Sequence, residues 1–294
     1  MGTNTVLNNI AAVTATPMTD HLGADIRGVN LTCPPDAGTL TQILDVLHQY
    51  GVIFFRNQTL TPEQLAAFSR CFGELDVHHM TEHVFPHLPQ VRVLSNVKKD
   101  GKSIGITKGG MHWHSDLSYK PQPALVTLLY ALECPPRGAD TQFADMAAAW
   151  DALPLAKQHQ LRSLRAVHDR NYRYSALYPG RPPLTPAQIA QVPPVEHPLV
   201  RIHPATGRPA LFVAKDVVSH IVGMPLDEGR ALIDELEAFV TQPQFVYSHQ
   251  WQAGDVLVWD NRCTLHRATP YDPQYRRTLY RTQVKGEAPL PAVS

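Results

Sequence analysis

The sequence predicts an antiparallel β-sandwich or jelly roll with flanking helices. Three observations point there. Short apolar strand-like runs ("VIFF", "VRVLSN", "ALVTLLYAL", "ALFV") are scattered along the whole chain. Turn residues separate them. No regular strand–helix alternation supports a doubly wound sheet.

The elements follow in order. In "LTQILDVLHQYG", Ile43, Leu47 and Tyr50 share a helical face and Gly51 suits the stop. "VIFF" (52–55) reads as a buried strand. "TPEQLAAFSRCFGEL" opens with Thr61, Pro62 and Gln64, a capping-box start. "LVRIHPATGRPALFV" reads as a hairpin turning at "PATGR". Further helices are expected at "DMAAAWDALP" and at "LDEGRALIDELEAFV", where Ala231, Leu232, Leu236 and Phe239 form a stripe. "WQAGDVLVWDN" and "RRTLYRTQV" read as late strands. Residues 168–197 form a long, proline-dense, irregular excursion carrying Tyr172, Tyr174 and Tyr178. That stretch is expected to be a lid over a site. The whole chain, 1–294, is expected to be one domain.

Lys+Arg and Asp+Glu are balanced at 26 each, so nothing marks a nucleic-acid partner. No apolar run is long enough to span a bilayer. Cys33, Cys71, Cys134 and Cys263 are widely spaced without a CxxC pair, and "MGTNTVLNNI" lacks the features of a signal peptide. A reduced cytoplasmic protein is expected.

The chemistry concentrates in "MHWHSDLSYK" (111–120). On a strand, His112, His114 and Asp116 would point to one side. His114 and Asp116 could hold a cation from two corners, with the third ligand supplied by another strand. "WDNRCTLHRATPYD" offers His266. Two imidazoles and a carboxylate on one face form the facial triad of non-haem Fe(II) oxygenases, with open positions opposite. Two other readings stand beside it. H-x-H-x-D-H is a dinuclear zinc signature of metallo-β-lactamase-like hydrolases, but Leu117 occupies the place of the last histidine. A catalytically inactive cupin-like metal-binding protein is the other.

Nearly end to end, the chain resembles the taurine dioxygenase and 2,4-dichlorophenoxyacetate dioxygenase superfamily. The resemblance rests on "LGADIRGVNLT" (22–32), "GVIFFRNQTLTPEQLAAFSRCFGEL" (51–75), "WHSDLSY" (113–119), "GADTQFADM" (138–146), "HPLVRIHPATGRPALFV" (197–213) and "WDNRCTLHRATPYDPQYRRTLYRTQVKG" (259–286), in the family's order. It implies a double-stranded β-helix and an enzyme using Fe(II), 2-oxoglutarate and O2. Hydroxylation of a C–H bond would yield succinate and CO2, with C–O or C–S cleavage where the attacked carbon bears oxygen or sulfur.

The resemblance also implies roles. His114, Asp116 and His266 match the iron ligands, which leaves His112 as a neighbour of the site. Arg277 matches the residue gripping the distal carboxylate of 2-oxoglutarate, and Thr141 its hydroxyl partner. Arg281 and His78 match positions that hold the acid group of a small anionic organic substrate, and Leu117 lines that pocket. Arg276 is expected to be a surface charge. Thr81, Gly110 and Val217 depart from the taurine pattern and imply a roomier pocket, for an aryloxyalkanoate or a longer sulfonate. Family habit implies a homo-oligomer, dimer or tetramer.

Overall fold

The structure is a computed structural model that describes residues 13–77, 82–107, 109–179 and 182–292. An eight-stranded sheet runs Thr14–Pro17, Ala24–Arg27, Val52–Phe55, Val256–Asp260, Ala124–Glu133, Thr278–Lys285, Leu88–Ser95 and Val84–Phe85 in spatial order. Its pairings are antiparallel except that between Ala24–Arg27 and Val52–Phe55. A three-stranded sheet, Val246–His249, Thr141–Asp145 and Thr264–Ala268, lies across it. This is the jelly roll that the strand pattern predicts.

The alternation of side chains explains both faces of the large sheet. Val52, Phe54, Leu129, Leu257, Trp259 and Leu279 point inward and pack with Phe143 and Tyr247 of the smaller sheet. Ile53, Phe55, Val126, Leu128, Val256 and Val258 point the other way, against Ile43 and Leu47 of one helix and Leu65, Ala66 and Phe68 of another. Strands buried on both faces read as continuous apolar runs, which is why "VIFF" carries no polar alternation.

The local signals hold. Helix Ala37–Tyr50 is capped by Asp36 and ends at Gly51, whose φ is 64° and whose N–H returns to the Leu47 carbonyl. Helix Pro62–Ser69 carries the capping box of Thr61 and Gln64. Val200–Ile202 and Pro209–Leu211 form the expected hairpin. Helix Leu226–Val240 turns a slightly different face inward than expected: Leu232, Ile233, Leu236 and Val240 are buried and Ala231 is exposed. The stripe rotates to include Glu237, whose carboxylate accepts the Lys215 backbone N–H at 2.6 Å.

The stretch 168–197 is less irregular than its proline content suggests. Its described part contains two short helices, Tyr174–Leu177 and Pro186–Ala190, and the strand Val195–Pro198. Thr185 and Gln188 form a second capping box, with proline at the first helical position, where its missing N–H costs nothing.

The four cysteines are free. Among the described residues, no helix is long and apolar enough to cross a membrane.

Candidate active site

The segment carrying His114 and Asp116 is not a strand, contrary to the sequence reading. It is an irregular stretch with one bridging residue, His114, paired to His266. The His114 N–H donates to the His266 carbonyl at 3.0 Å, and the His266 N–H returns to the His114 carbonyl at 2.8 Å. Leu117 then takes φ 55° and turns the chain, with its carbonyl accepting the Lys120 N–H at 2.8 Å. A left-handed conformation at a leucine is strained, and the turn keeps Asp116 beside His114 instead of letting it splay along a strand.

Three ligand-type atoms, one each from His114, Asp116 and His266, lie within 4.8 Å of one another. His266 Nε2 is 3.7 Å from Asp116 Oδ2, and His114 Nε2 is 4.0 Å from Asp116 Oδ1. His114 Nδ1 donates to the His112 carbonyl at 2.8 Å, which fixes the tautomer and leaves the Nε2 lone pair for a metal. Burial, then His266, lowers the His114 pKa to about 4. Burial lowers His266 to about 4 as well. Burial opposes ionisation of Asp116, but His266, Arg281 and His114, with the Thr127 hydroxyl, bring it down to about 2. At neutral pH the trio is therefore two neutral imidazoles and one carboxylate, a donor set that fits Fe(II).

A second layer holds the first in place. Thr127 donates its hydroxyl to Asp116 Oδ2 at 2.7 Å, and Asn261 Nδ2 donates to that hydroxyl oxygen at 3.0 Å. Asn261 Oδ1 accepts the Asp116 N–H and the Trp259 indole N–H, both at 3.1 Å. His266 packs on the rings of Trp259 and Phe143, with centroids at 4.7 and 6.0 Å. None of these three supports, Thr127, Asn261 and Trp259, is singled out by the sequence pattern. The signal for Thr127 is a threonine, fully buried in the fold, within the apolar run "ALVTLLYAL". Gly110 was read as a pocket position. In the fold, with φ +69°, it lies against the His114 ring, where an added Cβ would stand 3.1 Å from Cε1.

Arg281 sits mid-strand with Nη1 4.0 Å from Asp116 Oδ1. Arg277 immediately precedes that strand, and its backbone N–H donates to Asn96 Oδ1 at 2.9 Å. Its guanidinium lies 5.9 Å from the centre of the Tyr271 ring, and burial pushes its pKa down. No carboxylate pairs with it among the described residues, so a burial cost stands ready to be offset by an incoming anion. Thr141 is buried and its hydroxyl accepts the Trp251 indole N–H at 3.0 Å, which leaves the hydroxyl proton free to donate. Arg276 is an exposed cation paired with Glu133 at 2.7 Å. Leu117 and Val217 are buried. His78 and Thr81 lie outside the described residues.

Among the described residues, one further trio has ligand-like spacing: His203, Asp260 and Cys263. Its valences are already used. His203 Nε2 donates to Asp260 at 3.0 Å, its Nδ1 accepts the Ala205 and Thr206 N–H groups, and Arg262 grips Asp260 at 2.7 Å.

Comparison with known proteins covers nearly the whole chain. The model of the taurine catabolism dioxygenase TauD, TfdA family matches residues 14–283. The alpha-ketoglutarate-dependent 2,4-dichlorophenoxyacetate dioxygenase of Cupriavidus pinatubonensis is 36% identical, covering 94% of this chain and 99% of its own. The (S)-phenoxypropionate/alpha-ketoglutarate-dioxygenase of Sphingobium herbicidovorans is 33% identical, covering 92% of this chain and 94% of its own. The crystal structure of AAD-2 in complex with Mn(II) and N-oxalylglycine superposes with a TM-score of 0.79 at 30% identity, over 96% of this chain and 100% of that one. The zinc-hydrolase and inactive-cupin readings are not favoured by these likenesses. The chain belongs to the taurine catabolism dioxygenase TauD, TfdA family and is an alpha-ketoglutarate (2-oxoglutarate)-dependent dioxygenase that uses Fe(II) and O2.

Proposed function

We propose that the enzyme hydroxylates the carbon beside the ether oxygen of a small aryloxyalkanoate, and that Arg281 holds the substrate's anionic group. The observation that carries this is the Arg281 guanidinium 4.0 Å from Asp116. A fixed cation at the rim of the triad places an anion's neighbouring carbon in front of it. The nature of the relatives, which act on 2,4-dichlorophenoxyacetate and (S)-phenoxypropionate, supports the choice of ether-bearing carboxylates.

In this reading His114, Asp116 and His266 hold the metal. Arg277 and Thr141 hold 2-oxoglutarate by its distal carboxylate, one through a charged fork and the other through a hydroxyl proton. When bound, the iron supplies the oxidation chemistry that couples decarboxylation of 2-oxoglutarate to C–H hydroxylation. The protein's own contribution is placement. Thr127 and Asn261 keep the Asp116 carboxylate oriented and ionised, the His112 carbonyl keeps the His114 ring turned, and Trp259 and Phe143 keep water away from His266. Leu117 lines the substrate pocket. The balance is substrate, 2-oxoglutarate and O2 giving hydroxylated substrate, succinate and CO2. A hydroxyl on a carbon that bears an ether oxygen makes a hemiacetal, which collapses to a phenol and an oxo acid.

Residues 1–294 act as one catalytic domain, and the stretch after His168 closes over the site. The enzyme works in the cytoplasm, a placement supported by four free thiols, and as a homo-oligomer, dimer or tetramer, following family habit. Light scattering on the purified protein tests the last point. The functional reading is tested by a succinate-release screen over aryloxyacetates, both enantiomers of aryloxypropionates, sulfonates and alkyl sulfates. Phenol release from phenoxyacetate supports it. Turnover confined to sulfonates rejects it.

A further inference from the structure

The H-x-D segment carries a ring that the triad does not use. His112 packs its imidazole on that of His114, with centroids 4.9 Å apart and planes 38° apart. Beyond it Tyr178 meets the same ring edge-on, at 6.5 Å and 81°. Tyr178 leans in turn on Tyr174 at 5.2 Å. This stretch is tied down by Arg173, whose Nη1 lies 2.9 Å from Asp216 Oδ1. Beside Asp116, the Tyr119 ring lies under the Arg170 guanidinium at 5.7 Å.

His112 differs from the chain's structural histidines. His203 and His249 each hand a ring N–H to a buried aspartate, at 3.0 and 3.2 Å. The His112 ring is only partly buried and packs against rings on both sides. Of the three tyrosines in the proline-rich stretch, Tyr178 alone among the described residues has its ring against the metal-site segment; Tyr172 is exposed beneath Arg230. Arg281 approaches the triad from Asp116, whereas His112 approaches it from His114. Arg281 and His112 thus flank the triad, one on its Asp116 side and the other on its His114 side.

We propose that His112 and Tyr178 form an aromatic wall that selects substrates with an aryl group. The substrate's anion sits on Arg281, its aryl ring rests against the wall, and the carbon between them faces the metal. This rests on the Arg281 reading above. Offset or edge-on ring contacts add preference for an aromatic ring over a saturated ring of the same size, by about threefold to tenfold.

The test uses the full-length enzyme loaded with Mn(II) and 2-oxoglutarate, with affinities measured by calorimetry. The probes are phenoxyacetate and cyclohexyloxyacetate, which share the carboxylate and ether and differ in aromaticity. The wild type binds phenoxyacetate about threefold to tenfold more tightly. Tyr178→Leu and His112→Leu each bring that ratio toward one, while cyclohexyloxyacetate and 2-oxoglutarate keep their affinities to within about twofold. Arg281→Gln weakens both probes together and leaves the ratio alone. A wild-type ratio near one, or a ratio that survives in both ring variants, overturns the wall with Arg281 left standing. Failure of the wild type to bind either probe overturns the Arg281 reading and the wall with it.

Discussion

His114 and His266 exchange both of their backbone hydrogen bonds, at 3.0 and 2.8 Å, and their rings stand 4.2 Å apart. Two imidazoles from distant parts of the chain are thus registered by the backbone itself. Neither depends on the other's side chain for its position. The candidate metal site is thus held by one isolated backbone bridge, and the residues around it act as its supports.

Gly110 lies against the His114 ring. At φ +69° it tolerates no side chain without strain, and a Cβ there would press within 3.1 Å of His114 Cε1. Gly110→Ala should cost about 1 kcal/mol of stability. It should also weaken Co(II) or Fe(II) binding by about tenfold as the His114 ring is pushed aside. Metal titration followed in the visible spectrum, alongside a thermal melt, checks both. Unchanged metal affinity would mean that the ring can yield.

Thr127 is the next support. Thr127→Val keeps shape but removes the hydroxyl shared by Asp116 Oδ2 and Asn261 Nδ2. An unpaired buried amide hydrogen costs about 1–3 kcal/mol. Metal affinity should fall roughly 10- to 100-fold. Thr127→Ser should restore most of it. If the valine variant retains full affinity, the Asp116 orientation is set elsewhere.

The two arginines should separate kinetically. Arg277→Ala should raise the apparent KM for 2-oxoglutarate by about 30- to 150-fold, reflecting charge-assisted contacts of about 2–3 kcal/mol. It should barely touch substrate affinity. Arg281→Gln should do the reverse. Steady-state kinetics with each component varied in turn distinguishes them, and a mixed effect from both variants would contradict separate anchors.

Asp116→Ala and His266→Ala should each abolish iron-dependent succinate formation, since two ligands cannot hold the ion in a facial arrangement. Substantial turnover in either would remove that residue from the ligand set.

Away from the site, Asp260 holds together the turn that leads to His266. It is fully buried, accepts from His203 and Arg262, and those two partners hold it well below the ordinary carboxylate range despite its burial. Because its folded pKa is depressed, its contribution to stability is complete above the unfolded value of about 3.9 and is lost as pH falls through the folded one. Asp260→Asn should destabilise by about 3–5 kcal/mol at neutral pH, leaving a buried guanidinium short of its partner. The gap between variant and wild type should close on acidification below pH ~4. Denaturant melts across that range test the sign, and a gap that widens toward acid would refute the assignment.

Much of this protein is local and so was legible from its residues. The capping box at Thr61, the glycine stop at Gly51, the hairpin at "PATGR" and the apolar strands depend on interactions a few residues long, which composition and period reveal. The donor types of the metal site were legible too, because few residue types suit a ferrous ion. The partner of His114 was legible as well, since the spacing and the family resemblance both pointed to His266; tertiary structure alone decided that Asp116 turns back beside it through a strained Leu117 instead of following a strand. It decided that Thr127 reaches Asp116, and that Tyr178 comes to rest on His112. The contacts of Thr127 and Tyr178 join one segment to another across the fold. No local propensity encodes them; they follow from how two sheets and their crossing connections pack around a common core.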